Sequence, residues 1–164
     1  MKNARKFDER ITLGGVPDNE DLAQLKELGY KTLIDLRDEE EKFGGNVEKK
    51  SLALGFKYIS IPMRREEIKN EDVTKFYEAA YEKGSAPLYC FSRFGKKPLA
   101  FLLLFEAVAK GDPLQVVYRK ATTFALDLQG DLPLQAFLVN FYNAGAIEPI
   151  VQTMRKLRPD LFSQ

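Results

Sequence analysis

Apolar residues recur along the first half of the chain in two alternating patterns. One places them three or four positions apart, which is typical of an amphipathic helix, and the other is a short buried or alternating run, which is typical of a strand. One helix is predicted with Asp18 as its N-cap, a second over 47–54 and a third with Asn70 as its N-cap, each ending at a glycine. Strands are predicted at 11–13, 31–36, 56–61 and 86–90. This order predicts an α/β fold whose mainly parallel central sheet of about four to five strands is flanked by helices.

Beyond residue 90 the pattern becomes helical. Proline is favourable in the first turn of a helix. Three helices are therefore predicted to begin at Pro98, at Asp112 and Pro113, and at Pro133. The segment 99–110 is apolar on nearly every side, so it is expected to lie buried against the sheet. A last amphipathic turn or two is predicted in the helical tail 146–164. We expect residues 1–164 to form a single domain.

Composition narrows the classes of function. The chain has 25 Lys plus Arg against 24 Asp plus Glu, so its net charge of +1 provides no general attraction to nucleic acid or to an anionic membrane. The longest apolar run, 98–105, is far shorter than the ~20 residues of a membrane span. A single cysteine and no apolar signal segment favour a cytoplasmic location. The absence of histidine, with one cysteine, argues against a metal site, and no cofactor is expected.

The segment after the fourth predicted strand is the main candidate for chemistry. Ligands bind outside the carboxyl ends of parallel strands, and Cys90 is expected at such an end, before a loop that enters a helix. The amide groups of such a loop point toward a bound anion, and nearby cations lower the pKa of a thiol. Cys90 is therefore a candidate nucleophile, or else a small buried residue at a strand end. The candidate phosphate-binding residues are Phe91, Ser92, Arg93, Phe94, Gly95 and Lys96.

This loop resembles the active-site loop of cysteine-dependent tyrosine and dual-specificity phosphatases, whose signature is His-Cys, five residues, then Arg. Residues 11–17, 25–37 and 55–62 look like the opening of the small bacterial dual-specificity-like members, so the resemblance spans about 11–142. It implies a phosphotyrosine protein phosphatase-like fold. It also implies hydrolysis of phosphate monoesters through a cysteinyl-phosphate on Cys90, without a metal.

The loop departs from the family pattern at several positions. Lys96 stands in place of the arginine that grips phosphate, Tyr89 in place of the histidine, and Arg93 in place of a mid-loop glycine. Lysine offers charge without a bidentate fork, so turnover is expected to be slow. The resemblance places the general acid after the strand ending at Pro62, where Glu66 or Glu67 is the candidate.

Three functions follow from this reading. The first is weak phosphatase activity through Cys90, and the second is a catalytically impaired phosphatase domain that acts as a phosphate-binding or phosphoprotein-binding module. The third is a rhodanese-like sulfurtransferase, because residues 33–41 resemble an early motif of that family and a persulfide can form on a loop cysteine. The expected partner is a phosphorylated protein or a small phosphate-bearing molecule, with no nucleic acid and no membrane.

Overall fold

A computed structural model describes residues 4–43, 45–145 and 148–162. One five-stranded sheet has the order β1-β2-β5-β3-β4, in which β1 is antiparallel to β2 and the other neighbours are parallel. This confirms the predicted α/β fold. The two-residue β1 was not predicted, because it is too short to show a pattern. The strands are β1 Arg5–Lys6, β2 Ile11–Gly14, β3 Thr32–Asp35, β4 Lys57–Ser60 and β5 Leu88–Phe91.

Helices connect and cover these strands. A 3₁₀ turn, Arg65–Glu67, lies between β4 and α3. The helices are α1 Asn19–Glu27, α2 Val47–Ala53, α3 Asn70–Ala80, α4 Lys96–Lys110, α5 Leu114–Thr123, α6 Leu132–Asn143, α7 Glu148–Leu157 and α8 Pro159–Phe162.

Helix starts show which capping predictions hold. Asp18 caps α1 as expected, since its side chain accepts from the Asp21 amide at 2.8 Å and Asp21 accepts from the Asp18 amide at 3.0 Å. The prediction for Asn70 is wrong by one residue, because Asn70 is already the first residue of α3 and Lys69 precedes it. Helix α4 begins at Lys96, two residues before Pro98. Helix α6 begins at Leu132 with Asp131 as its cap, so Pro133 lies in its first turn as predicted.

The two faces of the sheet carry separate apolar clusters. Along β5, Leu88 and Cys90 belong to the larger cluster, while Tyr89 and Phe91 belong to the smaller one. This two-residue alternation is the normal pleat of a strand. The smaller cluster includes Leu22 and Leu25 of α1, and the larger one includes the apolar face of α3 and most of α4.

Helix α4 forms the centre of the larger core. All residues from Lys97 to Phe105 are buried. The burial predicted for 99–110 is therefore confirmed over 99–105 and at Ala107, and the last three residues of the helix are more exposed. Tyr77 of α3 donates to the Phe101 carbonyl at 2.6 Å, and its ring meets Phe105 edge-on with the centroids 4.9 Å apart. Helix α7 buries Ile150, Val151 and Met154 in this core, so the predicted C-terminal helix is confirmed, while residues 146, 147, 163 and 164 lie outside the described part. Within the described ranges, no helix is long and apolar enough to cross a membrane.

Phe101→Ala should lower the free energy of unfolding by about 3–5 kcal/mol, because it leaves a cavity beneath α4. Urea unfolding followed by circular dichroism measures the change. Phe43→Ala is the matched control, since Phe43 is 94% exposed and its loss should change stability by no more than about 0.5 kcal/mol. Equal effects of the two substitutions would contradict the assignment of this core.

Candidate functional site

The candidate site lies where β5 ends and α4 begins. The loop between them is residues 92–95, at the carboxyl edge of the sheet where parallel α/β folds bind ligands. Ser92, the first loop residue, is buried, and its amide donates to the Gly14 carbonyl at 3.4 Å. Its hydroxyl accepts from the Gly95 amide at 3.1 Å. The Ser92 side chain therefore sits at the base of the loop, inside its curve.

Gly95 allows the loop to turn this tightly. Its φ of +84° lies in the left-handed region, and a Cβ at this position would come within 3.1 Å of the Gly14 backbone. Glycine is the residue that meets both constraints at low cost. Because Gly95 caps α4, the first-turn amides of Lys96 and Lys97 begin beside the loop without partners inside the helix.

The prediction that Cys90 lies at the base of this loop is wrong by two residues. Cys90 is inside β5, paired with Leu13 on one side and Ile34 on the other, and it is 0% exposed. Its side chain points into the larger apolar core. Burial raises the pKa of the Cys90 thiol well above its ordinary value, with a smaller rise from Asp8, so the expected lowering of that pKa is also wrong.

A small cavity opens on the solvent side of the loop. Its volume is about 50 Å³. It collects four cationic side chains and one carboxylate, so its interior is net positive. The lining residues are Glu41, Arg65, Ser92, Arg93, Phe94, Lys96 and Lys97.

Lys97 closes the floor of this cavity. Its side chain is 2% exposed and its ammonium donates to the Leu36 carbonyl at 2.9 Å, to the Met63 carbonyl and to the Glu41 carboxylate at 3.3 Å. Burial lowers the pKa of Lys97, and Glu41 opposes that shift. An ammonium has three N–H groups, so these three acceptors use all of them. Lys97 thus ties α4 to the ends of β3 and β4.

Asp131 holds two other cations of the cavity. Its side chain is 1% exposed and its carboxylate lies 2.8 Å from Arg65 and 3.7 Å from Lys96. Lys96 was predicted to replace the arginine that binds phosphate. It lines the cavity, and its ammonium is paired with the Asp131 carboxylate. Arg65 remains 45% exposed and reaches the cavity from the 3₁₀ turn.

The remaining candidate phosphate-binding residues divide into two groups. Arg93 and Phe94 line the cavity and are both exposed, and the Arg93 guanidinium lies 5.1 Å from the Phe94 ring centre. Phe91, by contrast, turns its ring into the smaller core on the opposite face of the sheet, where it stacks with Tyr89 at 5.8 Å. The Phe91 ring therefore faces away from the cavity because β5 alternates its faces, and the phosphate-binding role of Phe91 stays a prediction.

Glu66 and Glu67 lie in a neighbouring groove. This groove has a volume of about 330 Å³ and is bounded by the 3₁₀ turn and α6. Both carboxylates line it, whereas the lining of the loop cavity does not include them. Arg65 borders both spaces. The general-acid role of Glu66 or Glu67 stays a prediction, without a contact to the loop that supports it.

Asp35 and Arg37 form a structural ion pair beside the cavity. Arg37 is bidentate to the buried Asp35 carboxylate at 3.0 and 2.8 Å, and the Tyr58 hydroxyl donates to the same carboxylate. Burial, followed by the Asp35 charge, raises the pKa of Tyr58 above its ordinary value. These groups satisfy one another, so they support the sheet edge.

Known proteins place this geometry in a family. The chain matches the family described as beta-lactamase hydrolase-like protein, phosphatase-like domain, over residues 4–109. It belongs to that family. The matched range of this phosphatase-like domain ends within the last turn of α4, so α5 to α8 lie beyond it.

Sequence and structural relatives agree with this assignment. The beta-lactamase hydrolase-like protein of Agrobacterium fabrum is 30% identical over 109 residues, which is 64% of this chain and 25% of that protein. Similar structures include a DUF442 protein from Shewanella putrefaciens (20% identity, TM-score 0.66, covering 84% and 87% of the two chains). The PP-IP phosphatase SIW14 of S. cerevisiae in complex with citrate has 18% identity, a TM-score of 0.67 and coverage of 83% of each chain. A cysteine-to-serine variant of P. aeruginosa TpbA in complex with pTyr has 14% identity, a TM-score of 0.68 and coverage of 99% and 91%. The phosphotyrosine phosphatase-like fold is confirmed.

Two contributors to the site of this phosphatase-like domain, Glu41 and Asp131, were given no role at the site from the sequence. Ser92 was predicted to bind phosphate, but its place at the base of the loop was not recognised. Glu41 follows β3 in an acidic run, 38–41, and such a run at the carboxyl end of a strand is a signal for a group at the site. Asp131 before Leu132 and Pro133 has the pattern of a helix cap. That role accounts for the residue in the sequence, so nothing there indicates its contact with Arg65 and Lys96.

Gly95→Ala should destabilise the domain more than Gly111→Ala. Both glycines have positive φ, which costs alanine roughly 1–2 kcal/mol. Only Gly95 adds the contact with the Gly14 backbone, because nothing lies within 4 Å of a Cβ at Gly111. The expected extra loss at Gly95 is about 1–3 kcal/mol in urea unfolding. Equal losses would show that the loop does not need its close approach to β2.

Thiol labelling distinguishes position 90, inside β5, from position 92, in the loop. Native wild type should react with iodoacetamide at least about a hundredfold more slowly than the double variant Cys90→Ala, Ser92→Cys, because only the second places a thiol in the cationic cavity. Mass spectrometry against time gives both rates, and labelling in urea confirms that Cys90 is intact. Comparable native rates would contradict the burial of Cys90.

Proposed function

We propose that this phosphatase-like domain binds the phosphate group of a ligand and does not hydrolyse it through a cysteine. The observation that carries the proposal is the residue at the base of the loop. Ser92 occupies this position, while the only cysteine of the chain is buried in the sheet behind it.

The cavity has the features that a phosphate group requires. Arg65, Lys96 and Lys97 converge on it, and the first turn of α4 directs amide groups and the positive end of the helix dipole toward it. Charge-assisted hydrogen bonds of this kind are roughly twice as strong as neutral ones. Arg93 at the loop tip adds a fourth positive charge.

Cysteine-dependent hydrolysis needs a thiolate in contact with the phosphorus atom. Cys90 is screened by the core on one side and by the β5 backbone on the other, and its raised pKa keeps it protonated. The Ser92 hydroxyl is a poor nucleophile unless a base takes its proton. The chain has no histidine, and the carboxylate of the cavity, Glu41, faces Lys97. The same burial leaves the sulfurtransferase alternative without an accessible thiol.

One relative supports capture of a phosphate group by a protein of this fold that has lost a cysteine, because the TpbA structure with pTyr is that of a cysteine-to-serine variant. A structure of PTPMT1 holds PI(5)P, which is another phosphate-bearing ligand. Serine at the loop base of this chain is compatible with the same kind of capture. The proposed ligand is thus a phosphorylated protein or a small phosphate-bearing molecule. The chain's match covers a quarter of the curated relative, so what the rest of such a protein does is a separate question.

Arg65→Gln should weaken the binding of inorganic phosphate about tenfold, because it removes one charged donor from the cavity. Isothermal titration calorimetry with wild type and variant measures the change. Arg64→Gln is the matched control, since it removes the same charge one residue away from the cavity-lining Arg65 and should change the affinity little. Equal weakening by both substitutions would indicate a diffuse charge effect instead of a site.

An aryl phosphate assay tests the catalytic half of the proposal. We expect wild type and Cys90→Ala to show the same absence of turnover while both still bind phosphate. Turnover that Cys90→Ala abolishes would overturn the proposal in favour of a cysteinyl-phosphate enzyme. Failure of inorganic phosphate to bind wild type would overturn the binding function itself.

A further inference from the structure

We propose that Glu41 is an internal ligand of the loop site, which an incoming phosphate group must displace from Lys97. This inference rests on the proposed phosphate-binding function and concerns the regulation of the same site. It follows from the contacts of Glu41, from the donor count of Lys97 and from the charge inside the cavity.

The Glu41 carboxylate is held in place from two sides. One of its oxygens accepts from the Asp38 amide at 3.0 Å and from the Lys97 ammonium at 3.3 Å. The Glu41 amide in turn donates to the Asp38 carboxylate at 2.8 Å, which closes a turn over residues 38–41. The side chain is 24% exposed, so rotation away from the cavity would carry it toward solvent.

Lys97 supplies the reason why displacement is needed. Two of its N–H groups hold the backbone carbonyls of Leu36 and Met63, and the third holds Glu41. The two carbonyls belong to the buried residues Leu36 and Met63, which follow β3 and β4, and they cannot leave without loss of structure. Only the N–H shared with Glu41 is exchangeable, so a phosphate oxygen reaches Lys97 by taking the place of that carboxylate.

Charge leads to the same conclusion. A carboxylate and a phosphate within a cavity of about 50 Å³ repel each other, because like charges a few ångströms apart are only partly screened by the protein. The resident carboxylate meanwhile compensates the buried Lys97 while the site is empty of ligand. Glu41 thus stabilises the free domain and lowers its affinity for phosphate.

Glu41→Gln tests this directly by calorimetric titration with inorganic phosphate. Glutamine keeps an oxygen that accepts hydrogen bonds but removes the charge, so the variant should bind phosphate about tenfold tighter than wild type. Glu40→Gln is the matched control, because it makes the same change in net charge at an exposed neighbour in the same turn. It should bind as wild type does. Glu41→Ala provides a second variant without the carboxylate, and thermal unfolding verifies that each variant is folded.

The outcomes separate this inference from the function on which it rests. Phosphate binding by wild type that neither Glu41 variant strengthens would overturn the internal-ligand role and leave the binding function in place. An equal gain in Glu40→Gln would also overturn it, since net charge alone would then explain the change. Absence of binding in every variant, including folded Glu41→Ala, would overturn both.

Discussion

The buried ammonium of Lys97 is the interaction on which the carboxyl edge of the sheet depends. A buried charge is costly unless every donor finds a partner, and Lys97 finds its partners at the ends of two strands and in the turn after β3. It thereby joins α4 to the sheet at the point where the cavity forms. The positive charge that Lys97 gives the cavity and the hydrogen bonds that hold α4 to the sheet are thus properties of one side chain.

The pleat of β5 decides which chemistry this edge can support. Successive side chains of a strand point to opposite faces, so Cys90 and Phe91 enter two different cores and Ser92 is the first residue to leave the sheet. A shift of two residues separates a thiol in the core from one in the loop. The fold of a phosphatase is preserved here, and the first residue of the loop after β5 is a serine while the cysteine lies in the core.

The sequence carried enough information for the fold and for the location of the site. Regular apolar spacing predicted α1, α3 and the buried α4, and the alternation of helix and strand predicted the parallel sheet. The end of β5 was misjudged because Tyr89, Cys90 and Phe91 are all apolar, and nothing in such a run marks where the strand stops. Lys97, Glu41 and Asp131 come together only through tertiary contacts between distant segments, and spacing along the chain does not reveal such meetings.

The burial of the only cysteine has a consequence for redox chemistry. Enzymes that keep a reactive thiolate in an open loop are vulnerable to peroxide, because sulfenic acid forms at exposed, low-pKa cysteines. A domain whose thiol is neutral and enclosed between Leu13 and Ile34 does not present that target. Phosphate binding by its loop, as proposed, would then persist during oxidative stress, under conditions that inactivate thiolate-dependent enzymes of the same fold.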